Sequence, residues 1–323
     1  MNSFGKNFRT SIFGESHGAL LGITIDGCKP GIALTEEDFM ADIRRRQSGG
    51  AGTTPRLEAD LPKIVSGWFN GFTTGAPLTI VFENQNTKSG DYDRLRKQPR
   101  PGHADWVAMM KFNGFNDHRG GGHFSGRLTL ALVAAGVVAK KMIGTIRVAA
   151  RLIEAGGSTD IEAAISKAVE EKDSIGGIIE CVASPLPIGM GEPFFDSVES
   201  ILAHAVFSIP AIKGIEFGSG FLAAKMKGSE HNDRIISSDG KTDTNNAGGI
   251  NGGLTNGNDL IFRVAVKPTS STSQPQQTMN LESGKVEELL IGGRHDTCIA
   301  LRVPVVLEAV TAIVLADFDR LMG

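Results

Sequence analysis

The chain has 323 residues, and its 33 lysines and arginines are set against 36 aspartates and glutamates, which gives a net charge of −3 at neutral pH. A balance this close to neutral argues against a general role at nucleic acids or membrane surfaces. The hydrophobic share of 41% and the charged share of 21% are typical of an ordinary soluble protein with a sizeable core. No apolar run reaches the length of a membrane span, and the N-terminal segment lacks the apolar stretch of a secretory signal.

Glycines and cysteines narrow the class of protein further. The 41 glycines are spread along the chain without a collagen-like period, so they predict many turns and close backbone approaches. Cys28, Cys181 and Cys298 are odd in number and lie far apart. They predict reduced, mostly buried thiols in a cytoplasmic protein, and without a CxxC pair a structural zinc site is not expected.

The predicted elements mix strands and helices throughout the chain. Alternating patterns and short apolar runs predict strands over residues 22–28, 63–69, 78–84, 145–156, 176–184 and 259–268. Periodic apolar positions predict helices over residues 34–46, 124–142, 160–172, 196–207 and 305–322. Thr35 with Asp38 resembles a capping box at the start of the first helix, and Pro304 stands near the start of the last. Residues 269–277 are expected to form a polar loop.

The helix predicted over residues 124–142 decides the fold class. It is apolar nearly all round, so we expect it to be buried between layers rather than to lie on a surface. Hairpin-like pairs of strands favour antiparallel sheet with this helix packed on it, which is an α+β fold. Nothing in the sequence marks a domain boundary, so residues 1–323 are interpreted as a single domain.

Two polar clusters lie in the first fifth of the chain. In "FGESHG" (residues 13–18), small residues flank Ser16 and His17 and let a ligand approach the imidazole, a side chain poised to exchange protons near neutral pH. A histidine hydrogen-bonded within a turn explains the same residues. In "RRRQSGGAGTTPR" (residues 44–56), adjacent arginines and a bare loop fit bidentate binding of carboxylate or phosphate. A solvated helix end that complements the helix dipole is the alternative.

Two further clusters present a histidine near a carboxylate. In "RKQPRPGHADW" (residues 96–106), two prolines stiffen a loop that carries His103 and Asp105. In "GGRHDTC" (residues 292–298), His295 and Asp296 come shortly before the last helix, and a helix cap is the structural alternative for Asp296.

Several catalytic signatures are absent or weak. "GSGFLA" (residues 218–223) fits a dinucleotide-binding pattern, but no convincing strand with an acidic end follows at the right distance. The sequence contains no G-x-x-x-x-G-K-[ST] loop, no HExxH and no paired cysteines, so metal catalysis has little support. The serine and histidine of "GESHG" are adjacent and the G-x-S-x-G pattern is missing, so a hydrolase is not favoured.

Taken together, these clusters resemble the chorismate synthase family. The resemblance covers nearly the whole chain and rests, in order, on "FGESHG", "RRRQ" with its glycine-rich loop, "ENQNTKSGDY", "RPGHADW", "DHRGGG", "NNAGGINGG", "KPTSS" and "GGRHDTC". It implies a β-α-β sandwich with helices packed between antiparallel sheets, a homotetramer and a cytoplasmic location. It also implies a 1,4-elimination of phosphate from 5-enolpyruvylshikimate 3-phosphate to give chorismate for aromatic amino acid biosynthesis. Reduced FMN is the implied cofactor, without net redox change.

The same resemblance implies a role for individual residues. His17 matches a histidine that protonates the departing phosphate, His103 a histidine near the pyrimidine edge of the flavin, and Asp296 a carboxylate near flavin N5. Ser16 and Ser125 match hydrogen-bonding relays. The implied flavin contacts are His123, Phe124, Ser125, Ala211, Gly252, Lys267, Pro268, Thr269, Ser270, Ser271 and Arg294. The implied substrate contacts are Arg45, Arg46 and Arg56, the last in place of a missing second pocket arginine.

The chain departs from the family pattern most clearly in its glycine loop. It has "GGGHFSGRLT" where many relatives have "GGGRSSARET", so His123 and Phe124 stand where Arg and Ser are usual. We therefore expect this loop to hold the flavin with fewer cationic contacts.

Two other functions remain open on the sequence. One is a flavin-dependent oxidoreductase on the same fold, although nothing in the chain suggests a built-in flavin reductase, so that NADPH is expected only as a source of reducing equivalents. The other is a non-catalytic binding protein, for example for nucleic acid through the basic residues 94–100. The near-neutral charge and the presence of His17, His103 and Asp296 argue against the second.

Overall fold

The computed structural model describes residues 2–50, 52–53, 59–85, 92–292 and 295–319. The strands in these ranges are β1 Ser3–Phe4, β2 Arg9–Gly14, β3 Leu20–Asp26, β4 Lys63–Ser66, β5 Trp68–Phe69, β6 Phe72–Thr73, β7 Leu78–Glu83, β8 Arg147–Ala155, β9 Gly177–Ser184, β10 Ile212–Phe217, β11 Ile250–Asn251, β12 Leu254–Thr255, β13 Leu260–Val266, β14 Gln276–Asn280 and β15 Lys285–Leu289. The α-helices are α1 Met40–Arg46, α2 Tyr92–Lys97, α3 Asp105–Lys111, α4 Thr129–Met142, α5 Ile161–Glu170, α6 Val198–Val206, α7 Gly228–His231 and α8 Val303–Asp319.

Two antiparallel sheets enclose a layer of helices. One sheet has the strand order β1-β2-β3-β7-β4, and the other has the order β10-β13-β9-β8. Helix α4 packs on β3 of the first sheet, α8 packs on β8 and β9 of the second, and the two helices pack against each other. The α+β class and the β-α-β sandwich expected from the resemblance are therefore confirmed, while the single domain stays a prediction.

The burial of α4 and α8 explains their composition. Both helices contact a sheet on one side and each other on the opposite side, so a polar stripe on either would be buried without water. Twelve of the fourteen residues of α4 are buried, including Thr129 at its start and Gly136 in its middle. The strands facing them alternate instead, since β13 buries every second residue from Leu260 to Val266.

Three sequence-based predictions of secondary structure need correction. The helix predicted over residues 124–142 begins only at Thr129, because glycine-rich 3₁₀ turns occupy Arg119–Phe124 and Gly126–Leu128. The polar loop predicted over residues 269–277 was wrong in part, because Gln276 begins β14, which pairs with β15 outside the main sheets. The helix predicted over residues 34–46 starts as a 3₁₀ turn over Glu36–Phe39, although its capping box is present.

The structure also shows the surroundings of the cysteines and of the "GSGFLA" segment. All three cysteines are buried free thiols, and burial raises the pKa of Cys181 to about 12. The "GSGFLA" segment follows the edge strand β10 of an antiparallel sheet and enters a short 3₁₀ turn, so it is not part of a βαβ dinucleotide unit. Within the described ranges, no helix combines the length and apolar character needed to cross a membrane.

The contact between α4 and α8 predicts an unusual response to a helix-favouring substitution. A Cβ atom at Gly136 would lie 2.5 Å from Ala309 Cα. Alanine favours a helix over glycine by about 1 kcal/mol, but overpacking a tight core contact costs roughly 1–3 kcal/mol. We expect Gly136→Ala to lower the melting temperature. In the matched control Gly228→Ala, where nothing lies within 4 Å of the new Cβ, we expect little change. A Gly136→Ala protein that melts at or above the parent would show that the two helices can separate freely.

Candidate active site

A cavity of about 820 Å³ lies against the first turns of both buried helices. Thr129 and Val303, the first residues of α4 and α8, belong to its wall, together with the glycine loop and the loop that follows β13. Its volume lies within the roughly 300–1,000 Å³ common for small-molecule sites.

The glycine loop passes directly over Ser16 and His17. Gly120, Gly121 and Gly122 all have left-handed φ angles, of 61°, 82° and 54°. A Cβ atom at Gly120 would lie 2.5 Å from His17 Cδ2 and 2.7 Å from Ser16 Oγ, and one at Gly122 would overlap the carbonyl oxygen of Asp117. The consecutive glycines are therefore required both by the backbone conformation and by the closeness of the two side chains.

Two arginines share one buried carboxylate at the cavity wall. Asp60 Oδ1 accepts a hydrogen bond from Arg127 Nη1 at 2.8 Å, and Asp60 Oδ2 lies 3.4 Å from Arg46 Nη1. The Asp60 side chain is only 2% exposed, and the side chains of Arg46 and Arg127 are 4% and 9% exposed. Thr129 Oγ1 accepts a further hydrogen bond from Arg46 Nε at 3.0 Å, which ties this group to the start of α4.

A second ion pair continues this cationic wall. Asp296 Oδ2 lies 3.1 Å from Arg302 Nη1, and Arg302 Nε donates to the carbonyl of Arg46 at 2.8 Å. The cap expected as the structural alternative for Asp296 was wrong, because α8 begins only at Val303. Burial, then the nearby charges of Arg302 and Arg127, lower the pKa of Arg46 to about 9, against the attraction of Asp60 and Asp296. The guanidinium therefore keeps its charge at neutral pH.

The charge of the cavity wall is opposite in sign to that of the chain. Its described lysines and arginines outnumber its described carboxylates by five to two. The cations are Arg46, Arg100, Arg127, Lys267 and Arg302, and the carboxylates are Asp60 and Asp296. When Asp105, the partner of Arg100, is also counted, an excess of two positive charges remains inside a chain of net charge −3, and it concentrates attraction for an anion at this cavity.

His103 occupies another part of the same wall, beside a carboxylate and an arginine. Its Nδ1 atom lies 2.7 Å from Asp105 Oδ1, while Arg100 Nε lies 2.7 Å from Asp105 Oδ2. Burial raises the pKa of Asp105, but the hydrogen bonds from Arg100 and His103 outweigh it and hold that pKa well below its usual range. Asp105 is therefore a carboxylate at neutral pH.

The loop after β13 is fastened to the loop that carries His103. Lys267 Nζ and Ser270 Oγ both donate to the carbonyl of Gly102, at 2.6 and 2.8 Å, and Arg100 Nη1 donates to Ser271 Oγ at 3.0 Å. The backbone N–H of Lys267 also donates to the carbonyl of Ala211 at 2.9 Å. The residues from Lys267 to Ser271 and Ala211, all expected to contact flavin, thus line the cavity as one unit with His103.

His123, Phe124 and Ser125 also lie on the wall. The His123 ring bridges two segments, since Nδ1 lies 2.9 Å from the carbonyl of Gly14 and Nε2 lies 3.0 Å from Asn2 Oδ1. Ser125 caps a 3₁₀ turn by accepting from the N–H of Arg127 at 3.3 Å. In this chain His123 therefore holds the end of β2 and the N-terminal segment against the cavity.

Two expected site residues within the described ranges, Arg45 and Gly252, have other places in the fold. Arg45 points away and makes a bidentate ion pair with Glu308 of α8, with Nη–Oε distances of 2.6 and 2.7 Å, so the structure gives it a role in holding helices together. Gly252 lies in the tight β11–β12 turn. Arg56 and Arg294 fall outside the described residues. Most other expected site residues line the cavity, and His17 lies behind Gly120 next to Ser16.

The structure adds residues to which the sequence assigned no role. Three of them, Arg100, Asp105 and Arg127, belong to sequence motifs that were already expected to form the site, so these motifs could have indicated them. Asp60 stands in no motif and pairs with arginines 14 and 67 residues away, which only the fold brings together. The basic segment considered for nucleic acid is largely paired, since Arg94 binds Gln98, Lys97 binds Glu282 and Arg100 binds Asp105.

The fold and the cavity define a class of protein in which a β-α-β sandwich holds a cavity whose wall carries more cations than carboxylates. Residues 8–319 match the sequence profile of chorismate synthase. This match covers nearly the whole chain, and the chain therefore belongs to the chorismate synthase family, whose members are lyases.

Individual relatives agree with this assignment. A chorismate synthase of Chitinophaga pinensis is 66% identical over 319 residues, which cover 98% of this chain and 96% of that protein. One of Dehalococcoides mccartyi is 47% identical over 354 residues, which cover 100% and 97%. A crystal structure of chorismate synthase matches with a TM-score of 0.75 at 27% identity, and the match covers 99% of this chain and 94% of that one.

The shared carboxylate predicts a large loss of stability on its removal. Asp60→Ala leaves two buried guanidinium groups without their common counterion, and breaking a buried pair typically costs about 3–5 kcal/mol. We expect a correspondingly lower midpoint in denaturant unfolding. Asp26→Ala is the matched control, because Asp26 pairs with Arg9 on the surface, where such pairs contribute about 0–1 kcal/mol. Equal effects of the two substitutions would contradict the structural importance of Asp60.

Proposed function

We propose that this chain catalyses the 1,4-elimination of phosphate from 5-enolpyruvylshikimate 3-phosphate to give chorismate, with reduced FMN and without net redox change. The activity would serve aromatic amino acid biosynthesis in the cytoplasm. The observation that carries the proposal is the cation excess of the cavity wall in a chain of this family. The substrate carries a phosphate and two carboxylates, and guanidinium groups such as those of Arg46, Arg127 and Arg302 suit both kinds of anion.

Reduced FMN fits the cavity on observations independent of the family. Arg127 Nη2 and Thr269 Oγ1 are buried atoms of the wall without a hydrogen-bond partner among the described residues, so a polar ligand there would satisfy them. The bare backbone of the glycine loop allows close approach of a ring, and Phe124 offers it an apolar face. Residues 123–125 and 267–271 would hold the cofactor. When bound, reduced FMN supplies a basic ring nitrogen beside the substrate.

The positions of His17 and Ser16 support a role for both at the leaving phosphate. Both side chains lie against Gly120, and Ser16 is part of the cavity wall whereas His17, only 5% exposed, lies behind it. We assign His17 as the acid for the departing phosphate and Ser16 as the hydroxyl that relays its proton. Ser125, across the glycine loop, is assigned a similar relay role.

His103 and Asp296 are assigned to proton exchange at the flavin. Both line the cavity. The side chain of Asp296 is 12% exposed and is held by Arg302, so it is fixed in place as a carboxylate acceptor.

A homotetramer is proposed as the assembly. Phe115, Phe194, Phe195 and Phe221 are each more than 80% exposed in the single chain. Phe194 and Phe195 are adjacent in the chain, and neighbouring exposed apolar side chains are typical of association surfaces. Light scattering coupled to size-exclusion chromatography would test it, and a monomeric mass would overturn it.

The activity itself is tested under anaerobic conditions. Protein, reduced FMN and 5-enolpyruvylshikimate 3-phosphate are combined, and chorismate and free phosphate are measured. We expect both products in equal amounts with no net consumption of reductant. No turnover with reduced flavin bound would overturn the proposal, and stoichiometric NADPH oxidation coupled to substrate reduction would indicate a flavin-dependent oxidoreductase instead.

Removal of either proposed acid–base histidine should reduce turnover strongly. We expect His17→Ala and His103→Ala each to lower kcat by about 10²–10⁴-fold, the usual contribution of a general acid or base, while the melting temperature changes little. His231→Ala is the matched control, because His231 lies in α7 and does not line the cavity. Near-parental rates in both cavity variants would show that the roles are wrongly assigned.

A further inference from the structure

We propose that Asp105 is a positioning residue that fixes His103 in the tautomer protonated on Nδ1 and leaves Nε2 as the proton acceptor for the cavity. The inference rests on the proposed function only in taking His103 to exchange protons with what the cavity binds. The tautomer itself is a property of the protein alone.

The distances around His103 Nδ1 select one tautomer. Nδ1 lies 2.7 Å from Asp105 Oδ1 and 3.0 Å from Arg100 Nη2. If Nδ1 carried a lone pair and accepted from Arg100, that lone pair would face an anionic oxygen at 2.7 Å. If Nδ1 carries the proton, it donates to Oδ1, and the same Arg100 Nη2 donates to Oδ1 at 2.8 Å. The second arrangement replaces the repulsion at 2.7 Å with a charge-assisted hydrogen bond, and the two donors, which lie 3.0 Å apart, then share Oδ1 as their acceptor.

The carboxylate is itself held rigidly, so it can orient the ring. Arg100 grips it with Nε at 2.7 Å from Oδ2 and Nη2 at 2.8 Å from Oδ1, and the backbone N–H of Arg100 donates to Oδ2 at 3.2 Å. The remaining Nη1 of Arg100 donates to Ser271, which anchors the guanidinium to the loop after β13. The side chains of Arg100 and Asp105 are 7% and 14% exposed, so water competes weakly for these bonds.

The opposite edge of the ring faces the glycine loop. A Cβ atom at Gly121 would lie 3.6 Å from His103 Cε1 and 3.8 Å from Nε2. Charged and titratable groups near the ring are Asp105 on α3, Arg100 on the preceding turn and Lys267 across Gly102. Arg96 and His118 line the same cleft as His103. Among the described neighbours, Asp105 is the carboxylate in hydrogen-bond contact with the ring.

A fixed tautomer determines which nitrogen can take a proton. With the Nδ1 proton held by Asp105, Nε2 presents a lone pair towards the glycine loop and the cavity. When Nε2 accepts a proton, the adjacent carboxylate stabilises the imidazolium. In the other tautomer the ring would present an N–H and could accept nothing there.

The test measures the tautomer directly. Protein labelled with ¹⁵N-histidine is studied without ligand at a pH where the ring is neutral, and long-range ¹H–¹⁵N correlations identify the protonated nitrogen. The His103 signals are those missing in His103→Ala. We expect Nδ1–H in the parent, and its replacement by Nε2–H or a mixture in Asp105→Asn, because an amide N–H can donate to Nδ1. A parent signal showing Nε2–H overturns the inference without recourse to any variant, as does an unchanged tautomer in Asp105→Asn.

Activity provides a second, separable measurement. In Asp105→Asn we expect kcat to fall by about 10²-fold or more, with KM for the phosphorylated substrate changed less than threefold, and partial recovery in Asp105→Glu. Asp243→Asn is the control, because Asp243 pairs with Arg234 on the surface away from the cavity. A KM effect with unchanged kcat would overturn the positioning role. An Nδ1–H parent without lyase activity would instead refute the proposed function and leave the tautomer assignment standing.

Discussion

The contact between α4 and α8 is the constraint on which the rest of the molecule depends. Two helices buried between two sheets must approach closely, which requires small residues such as Gly136 and Ala309 where they touch. Both helices begin at the cavity wall, with Thr129 and Val303. Their positive dipole ends add to the side-chain cations there. The interior packing thus sets the position of the site, and the loops before each helix supply its chemistry.

Clustered cations repel one another in the free protein, and the site limits this cost with few carboxylates. Asp60 serves two arginines, Asp296 serves Arg302, and Asp105 serves Arg100. These carboxylates are fewer than the cations and leave part of the wall's positive charge uncompensated. An anion entering the cavity supplies the missing negative charge, so charge that is unfavourable in the empty site becomes favourable in the occupied one.

Much of the fold could be predicted from the sequence because its signals are local. The apolar composition of residues 129–142 follows from burial on all sides, and hairpin patterns predict antiparallel sheet. The start of the helix was predicted wrongly at the glycine loop. Phe124 and Leu128 extend the apolar pattern of α4 towards the N-terminus, but the backbone there forms glycine-rich 3₁₀ turns. Motif order located most cavity residues. It could not locate Asp60, whose partner Arg127 lies 67 residues away in the sequence. It also could not show that Arg45 forms an ion pair with Glu308.

The triad of Arg46, Asp60 and Arg127 also constrains how this sequence can evolve. Its members stand 14 and 67 residues apart, yet loss of Asp60 leaves two buried guanidinium groups without a counterion. Once either arginine is lost, the remaining pair cannot lose one partner without leaving a buried charge unpaired. A lineage that replaces the group must pass through such an intermediate or change several positions together. The three positions are therefore expected to be inherited as a unit. Substitutions in the surrounding loops can accumulate independently of them.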